Sequence, residues 1–338
     1  MLTRYFRYTD GVLPNVLAFS ATVLAYPLGV ILLCNAWWLL QLAGFALLSI
    51  SLIWSAYFIH EFSHQAIFKS AAVNRRWGTL MSWINGSCYA SFDAMRKKHM
   101  RHHVERADVI SFDVQNFLRQ SPAWFRRLVL ALEWAYFPAV EFLMRGFVIA
   151  LPFARGGNFA ARLRIVAIFS LRCAAFVLLA WVSPRALLLY FGAYLVFITV
   201  LRFADCFQHT YDAYPTLDDS PVPNDKLRDK AYEQANTYSD IVGLDHPVLN
   251  MLWLNFGFHN AHHEKPTVPW HRLPAYHREL YDARYAQIMP VAILLKSFHT
   301  NRVRRVLSAD YGCVLPPQVA GRADGFLGAV GVSFLTAV

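Results

Sequence analysis

Histidine is the commonest protein ligand for a transition metal, so a chain that concentrates it first raises the question of metal binding. This chain of 338 residues holds 13 histidines, most of them in short groups. His60 and His64 are four residues apart, His99, His102 and His103 are spaced i, i+3, i+4, and His259, His262 and His263 repeat that spacing. On a helix such positions share one face, so each group would present its imidazoles together. Asp205 and His209 form a further pair four apart. A single HExxH-type string such as His60-Glu61-Phe62-Ser63-His64 is a weak signal, and His102-His103 beside Lys97, Lys98 and Arg101 also reads as a solvated basic face. Three groups in one chain make the metal reading much the stronger. Nine histidines plus Asp205 exceed the four ligands of one zinc and suit two metals with about five ligands each. Imidazole accepts iron, copper, nickel or zinc, and spacing does not choose among them.

Something must hold these groups in place, and the remaining composition says what. The chain is 56% hydrophobic and only 16% charged, with mean hydropathy +0.31. Globular chains carry about 25% charged residues, so the missing charge implies apolar surface facing lipid and excludes disorder, collagen and coiled coil. The formal charge of +10 fits loops obeying the positive-inside bias, and nucleic acid is not expected as a partner. Cys34, Cys88, Cys173, Cys206 and Cys313 are scattered without CxxC spacing, which suggests neither a disulfide framework nor a thiolate metal site.

Uncharged apolar runs at 13–34 and 37–59, parted by Asn35 and Ala36, predict a hairpin of membrane spans, with no cleaved signal peptide. Two more spans are expected at 165–182 and 187–200, joined at Ser183-Pro184-Arg185. Arg172 falls inside the third, where a charge costs about 2.5 to 3.5 kcal/mol, so it should snorkel, pair or face the bundle interior. The stretches 60–162 and 201–300 read as a cytosolic cap, with interfacial or span-packed helices near 77–89 and 134–153. An even number of spans puts both termini and every histidine group on the cytoplasmic side. The expected fold is thus an all-α integral membrane protein, one domain over 1–338, with about four transmembrane helices, interfacial helices and a helical cap carrying a di-metal site. No structure is assigned to the 306–338 tail, whose apolar end at 325–338 is too short to span.

The three groups, HxxxH (His60, His64), HxxHH (His99, His102, His103) and HxxHH (His259, His262, His263), resemble the boxes of the membrane fatty acid desaturase/hydroxylase superfamily, over about residues 60–274. His262-His263-Glu264-Lys265-Pro266 and Trp270-His271-Arg272-Leu273-Pro274 also resemble bacterial members. The resemblance implies a non-haem di-iron centre with O2 as co-substrate. It implies one iron on His60, His99, His103 and His262 and the other on His64, His102, His209, His259 and His263. Animal acyl-CoA members carry Asn where this chain has Asp205, a carboxylate that could ligate directly or lower the site's net charge. Their first box is HxxxxH, whereas HxxxH is similar to many bacterial and lipid-acting relatives. Glu61, Asp93, Asp108, Asp113, Asn255 and Glu264 lie near the ligands in sequence and are candidates to orient them. His246, His271, His277 and His299 lie outside the boxes and read as surface, capping or core residues.

The resemblance implies an O2-dependent desaturase that places a double bond in a fatty acyl or lipid chain carried on CoA, acyl carrier protein or a membrane lipid. Hydroxylase, acetylenase or ketolase chemistry on a lipid, carotenoid or carrier-bound acyl chain is the alternative. No CxxC pairs suggest a fused rubredoxin or ferredoxin, and His246-Pro247 is followed by Val248 rather than an HPGG-like haem segment. Electrons are therefore expected from a separate donor such as a ferredoxin, which the basic loops could dock, as they could anionic lipid. If the source is bacterial, the inner or plasma membrane is the expected location. The second alternative is a membrane zinc metalloprotease with Glu61 as general base; it would leave two boxes unused, and Asp324-Gly325 in the tail is no convincing third-ligand motif.

Overall fold

The computed structural model describes residues 2–154, 159–215, 222–308 and 328–337. In chain order the helices are α1 (Val12–Leu33), α2 (Trp38–Ser63), α3 (Ala71–Asn85), α4 (Phe92–Glu105), α5 (Val114–Gln120), α6 (Ala123–Trp134) and α7 (Ala139–Ala154). They continue with α8 (Phe159–Val182), α9 (Pro184–Asp205), α10 (Lys230–Ala235), α11 (Pro247–Asn250), α12 (His259–Glu264), α13 (Leu273–Leu280) and α14 (Val291–Asn301). The one sheet among the described residues pairs β1 (Asp108–Ile110) in parallel with β2 (Ala213–Pro215), Asp108 opposite Ala213.

Four helices are long and apolar enough to cross a membrane: α1, α2, α8 and α9. Their burial separates their roles, since the apolar window of α2 is 61% buried and that of α8 only 11%. α2 is therefore the central helix, packed against α1, α3 and α9, while α8 buries only Ile165 and Ile168 and leaves most of its side chains exposed, as a helix facing lipid would. Leu48, Leu52, Phe58, Ile59 and Phe62 of α2 are fully buried. Phe62 stacks on Phe19 and Phe68, and Phe19 stacks on Trp77.

The turns follow their residues. Between α1 and α2, Gln41 Nε2 donates to Asn35 O at 2.7 Å and Trp37 N donates to Asn35 Oδ1 at 2.9 Å. α9 starts with Ser183, whose Oγ accepts from Ala186 N at 3.1 Å, followed by Pro184 in the first turn. Trp37, Trp38 and Trp181 are exposed at this same end of the bundle, as interfacial tryptophans are.

The helices outrun the apolar stretches. α2 reaches Ser63 rather than 59, α8 begins at Phe159 rather than 165, and α9 runs Pro184–Asp205 rather than 187–200. Hydropathy marks what lipid touches, whereas a helix continues as long as its charges find partners. Arg164 Nη1 donates to Cys88 O at 2.8 Å, and Arg202 pairs with buried Glu133. Arg172 does face inward, donating from Nη1 to Trp83 O at 3.1 Å. The amphipathic α6 leaves Trp124, Leu128 and Trp134 exposed, the character of a helix lying in a membrane interface. Asp324, Gly325 and Cys313 lie outside the described residues.

Candidate metal centre

The continuation of α2 past 59 places His60 in its last turn, with His64 as its cap. α4 carries His99, His102 and His103 at its end; Ser91 starts it, Oγ accepting from Ala94 N at 3.1 Å, and Arg106 in the left-handed region stops it. His209 follows α9 and bridges to Thr237. α12 has six residues, too few to be stable alone. Buried Asn260 fixes it, donating from Nδ2 to Thr237 O at 2.6 Å and accepting from Ser239 Oγ at 2.9 Å.

These elements bring nine imidazoles together in two groups, each with its ligand nitrogens within 4.8 Å of one another: His60, His64, His99, His103 and His262, and His102, His209, His259 and His263. In the first, Nε2–Nε2 separations are 2.6 Å for His64–His99, 3.1 Å for His60–His262 and 3.2 Å for both His99–His103 and His103–His262. In the second they are 3.0 Å for His102–His209, 2.8 Å for His209–His259 and 3.2 Å for His259–His263. A neutral imidazole has a single N–H, so nitrogens facing one another all round cannot all be satisfied by hydrogen bonds. Nitrogens about 2.0–2.1 Å from a shared ion would sit roughly 3–4 Å apart, so the donor sets fit one metal each. His64 falls with His60 and His99, whereas the resemblance implied the other group; one helical turn from His60, it meets His99 directly.

Electrostatics favour neutral, ligating imidazoles. Burial, then the neighbouring imidazoles, push His103, His209, His259 and His263 well below the ordinary histidine value, and burial brings His262 down to about 3. On the outer side, His263 Nδ1 donates to Glu233 Oε1 at 2.9 Å and His102 Nδ1 lies 3.3 Å from Asp108 Oδ1. A proton held on Nδ1 leaves the Nε2 lone pair free for a metal. Glu233 in turn takes Arg106 Nε at 3.1 Å and Lys230 Nζ at 3.3 Å.

Of the other residues singled out, Asp108 is at the cluster and Asp205 lines the adjoining cavity, though outside both ligand groups. Glu61 Oε2 accepts from Trp270 N at 2.9 Å, and Asn255 Nδ2 donates to Trp270 O at 3.1 Å, so both brace the loop beyond α12. Asp93 pairs with Arg75, Asp113 caps α5 through Asn116 N at 3.0 Å, and Glu264 lies 3.7 Å from Lys230 Nζ; none of the three reaches an imidazole. Sequence reasoning missed Glu233, which no motif marks, and Phe334, whose ring centroid lies 5.3 Å from that of His99. Phe334 helps to wall a cavity of about 60 Å³ beside His99, His102, His209 and His259, bounded also by Tyr57, Leu201, Asp205 and Phe256, with room for roughly two water-sized molecules.

The fatty acid desaturase family model matches residues 36–293, a stretch that takes in all nine histidines and three of the four long helices. The chain belongs to the fatty acid desaturase family. No curated protein and no solved structure matches it. Membership makes this desaturase-family chain a membrane oxidoreductase with a lipid or acyl substrate, in a family known for non-haem di-iron. The protease alternative needs a free Glu61 beside a two-histidine zinc, but Glu61 is buried against Trp270 and both histidines lie among other imidazoles.

Proposed function

We propose that the protein is a di-iron desaturase that removes two hydrogens from adjacent methylenes of a fatty acyl or lipid chain. The observation that carries this reading is the pair of buried imidazole groups, beside a small cavity at one end of α2 and α9 in a desaturase-family chain. His60, His64, His99, His103 and His262 would hold one iron, and His102, His209, His259 and His263 the other. Two irons there would supply the redox chemistry with O2 that breaks an unactivated C–H bond. O2 takes four electrons in becoming two waters, two from the C–H bonds and two from a separate donor protein. Glu233 and Asp108 hold protons on the outer nitrogens of His263 and His102, and so set which nitrogen faces inward. Asp205 lines the cavity wall beside His102, His209 and His259 and would act at the second group through water or through its charge. Tyr57, Phe256 and Phe334 exclude bulk water from the histidines. Arginine and lysine between the second and third spans support a cytoplasmic side for this end of the bundle, where a ferredoxin-type donor would reach it.

The test is expression in a lipid-producing host, with mass spectrometry of the acyl chains and metal analysis of the purified protein. About two irons per chain and new double bonds that vanish in His102→Ala are expected. A new alcohol in place of the double bond would shift the reading to hydroxylation, and one zinc with no lipid product would overturn it.

A further inference from the structure

Arg145 of α7 and Arg172 of α8 share a cavity that the proposed reaction does not use. It measures about 210 Å³ and lies between α7, α8, α9 and the turn after α3. Phe142, Phe176, Tyr190 and Tyr194 form much of its wall. Arg172 is well inside α8, a helix long and apolar enough to cross a membrane, and Arg172 Cζ lies 5.8 Å from the Phe176 ring centroid. Arg145 Cζ lies 5.8 Å from the centroid of Tyr194. Gly86 leaves room for the second guanidinium: its φ is +78° and a Cβ there would come 3.1 Å from Arg172 Nη2.

Neither guanidinium is paired with a carboxylate among the described residues. Arg172 donates to the carbonyl of Trp83, and Arg145 Nε is buried with no hydrogen-bond partner. A cation in a membrane-spanning segment is costly and as a rule faces a partner or a ligand path. The guanidinium fork matches two oxygens of one carboxylate or phosphate, and the aromatic walls match an apolar chain. Phe191 of α9, an exposed side chain on a helix long and apolar enough to cross a membrane, is among the lining residues. It is smaller than the roughly 300–1,000 Å³ of a typical ligand pocket, so it would enclose a head and the first methylenes and leave the rest outside.

We propose that this cavity binds the oxyanion of an amphiphile, a fatty acid carboxylate or a phospholipid phosphate, between Arg145 and Arg172, with the chain leaving past Phe191 into the bilayer. The site is distinct from the histidine cavity, although adjacent residues wall the two, Phe334 one and Leu335 the other.

The full chain in nanodiscs of neutral lipid is titrated with radiolabelled palmitate and, separately, with hexadecanol, which has the same chain and no charge. Palmitate is expected to bind saturably and at least about tenfold tighter than the alcohol, the margin one charge-assisted hydrogen bond carries. Arg145→Gln, which breaks no hydrogen bond between described residues, should remove that preference and leave hexadecanol binding unchanged; Arg145→Lys should keep part of it. Displacement of palmitate by phosphatidic acid but not by phosphatidylcholine assigns the site to a lipid phosphate, and retention of palmitate against both assigns it to a carboxylate. Equal binding of acid and alcohol by the wild-type chain, or a palmitate preference that survives Arg145→Gln and Arg172→Gln, overturns the proposal. The readout needs neither iron nor turnover, so its failure is separate from that of the desaturase reading.

Discussion

Glu233 is the residue on which the second imidazole group leans most from outside. Its Oε1 holds the Nδ1 proton of His263 while its other oxygen takes Arg106 and Lys230, which keep it aimed. Glu233→Gln should lower iron affinity or activity by about 10- to 100-fold, the usual loss when such an orienting partner goes, with little change in fold; iron titration of the purified variant measures it. A second expectation concerns acid. The buried histidines titrate below the value of about 6.5 that they have in the unfolded chain, His262 at about 3. Below pH 6.5 the unfolded chain therefore takes up protons that the folded one refuses, so stability is full above that pH and falls steadily beneath it. Melting midpoints of metal-free protein between pH 8 and 4.5 should be flat above about 6.5 and decline below it; a flat profile throughout would contradict the burial. The histidine boxes were readable because helix geometry ties i to i+3 and i+4. Glu233 was not, because its partner His263 is 30 residues away and only folding introduces them.

At the scale of elements, the hairpin of α1 and α2 aims His60, and its fit depends on two glycines. A Cβ on Gly44 would stand 2.8 Å from Gly29 O and 2.8 Å from Leu32 Cβ, so the two helices touch backbone to backbone, as small residues allow in membranes. Gly44→Val should push them apart at a cost of about 1–3 kcal/mol from overpacking, more than the few tenths of a kcal/mol by which valine exceeds glycine in helix propensity. Thermal unfolding in detergent would show the drop, and iron content should fall with it because His60 and His64 ride on the displaced helix. The four long helices were legible as runs of apolar residues, but their ends were not. The extra turn that carries His60 is made of His60, Glu61, Phe62 and Ser63, whose polarity suggests an exit from the membrane when they are in fact buried by α4, α12 and the loop at Trp270. In the same way Arg202 ends the apolar run of α9 one turn before Asp205, but pairing with Glu133 lets the helix run on to that residue. Sequence polarity cannot distinguish a side chain that meets water from one that meets a buried partner.

For the whole molecule, the segment 328–337 closes the histidine cavity from a distance in sequence that no pattern reveals. Gly328 N donates to Cys206 O at 2.6 Å, Arg305 Nε donates to Gly328 O at 2.7 Å, and Lys98 Nζ donates to Ser333 O at 2.8 Å. Ala329 and Val330 join the apolar cluster of Ile110, Met144 and Val306, while Leu335 and Ala337 enter the main core. These contacts set Phe334 against His99 and His60 and complete the wall that also includes Val332 and Ser333. The apolar composition of this stretch gave it no structure beyond a segment too short to span, because its partners come from α4, α7 and the loop after α9. A chain ended after residue 327 should keep its four long helices yet open the imidazoles to solvent. Iron should then leave to a chelator faster than from the full chain, and O2 consumption should become uncoupled from lipid product as water reaches the site. Phe334→Ala separates the wall from the anchor: it should speed chelation less than the truncation and leave the melting midpoint nearer wild type, because Ala329, Val330 and Leu335 still hold the segment down. Equal iron retention in all three proteins would show that the histidines are shielded by α2, α4 and α12 alone.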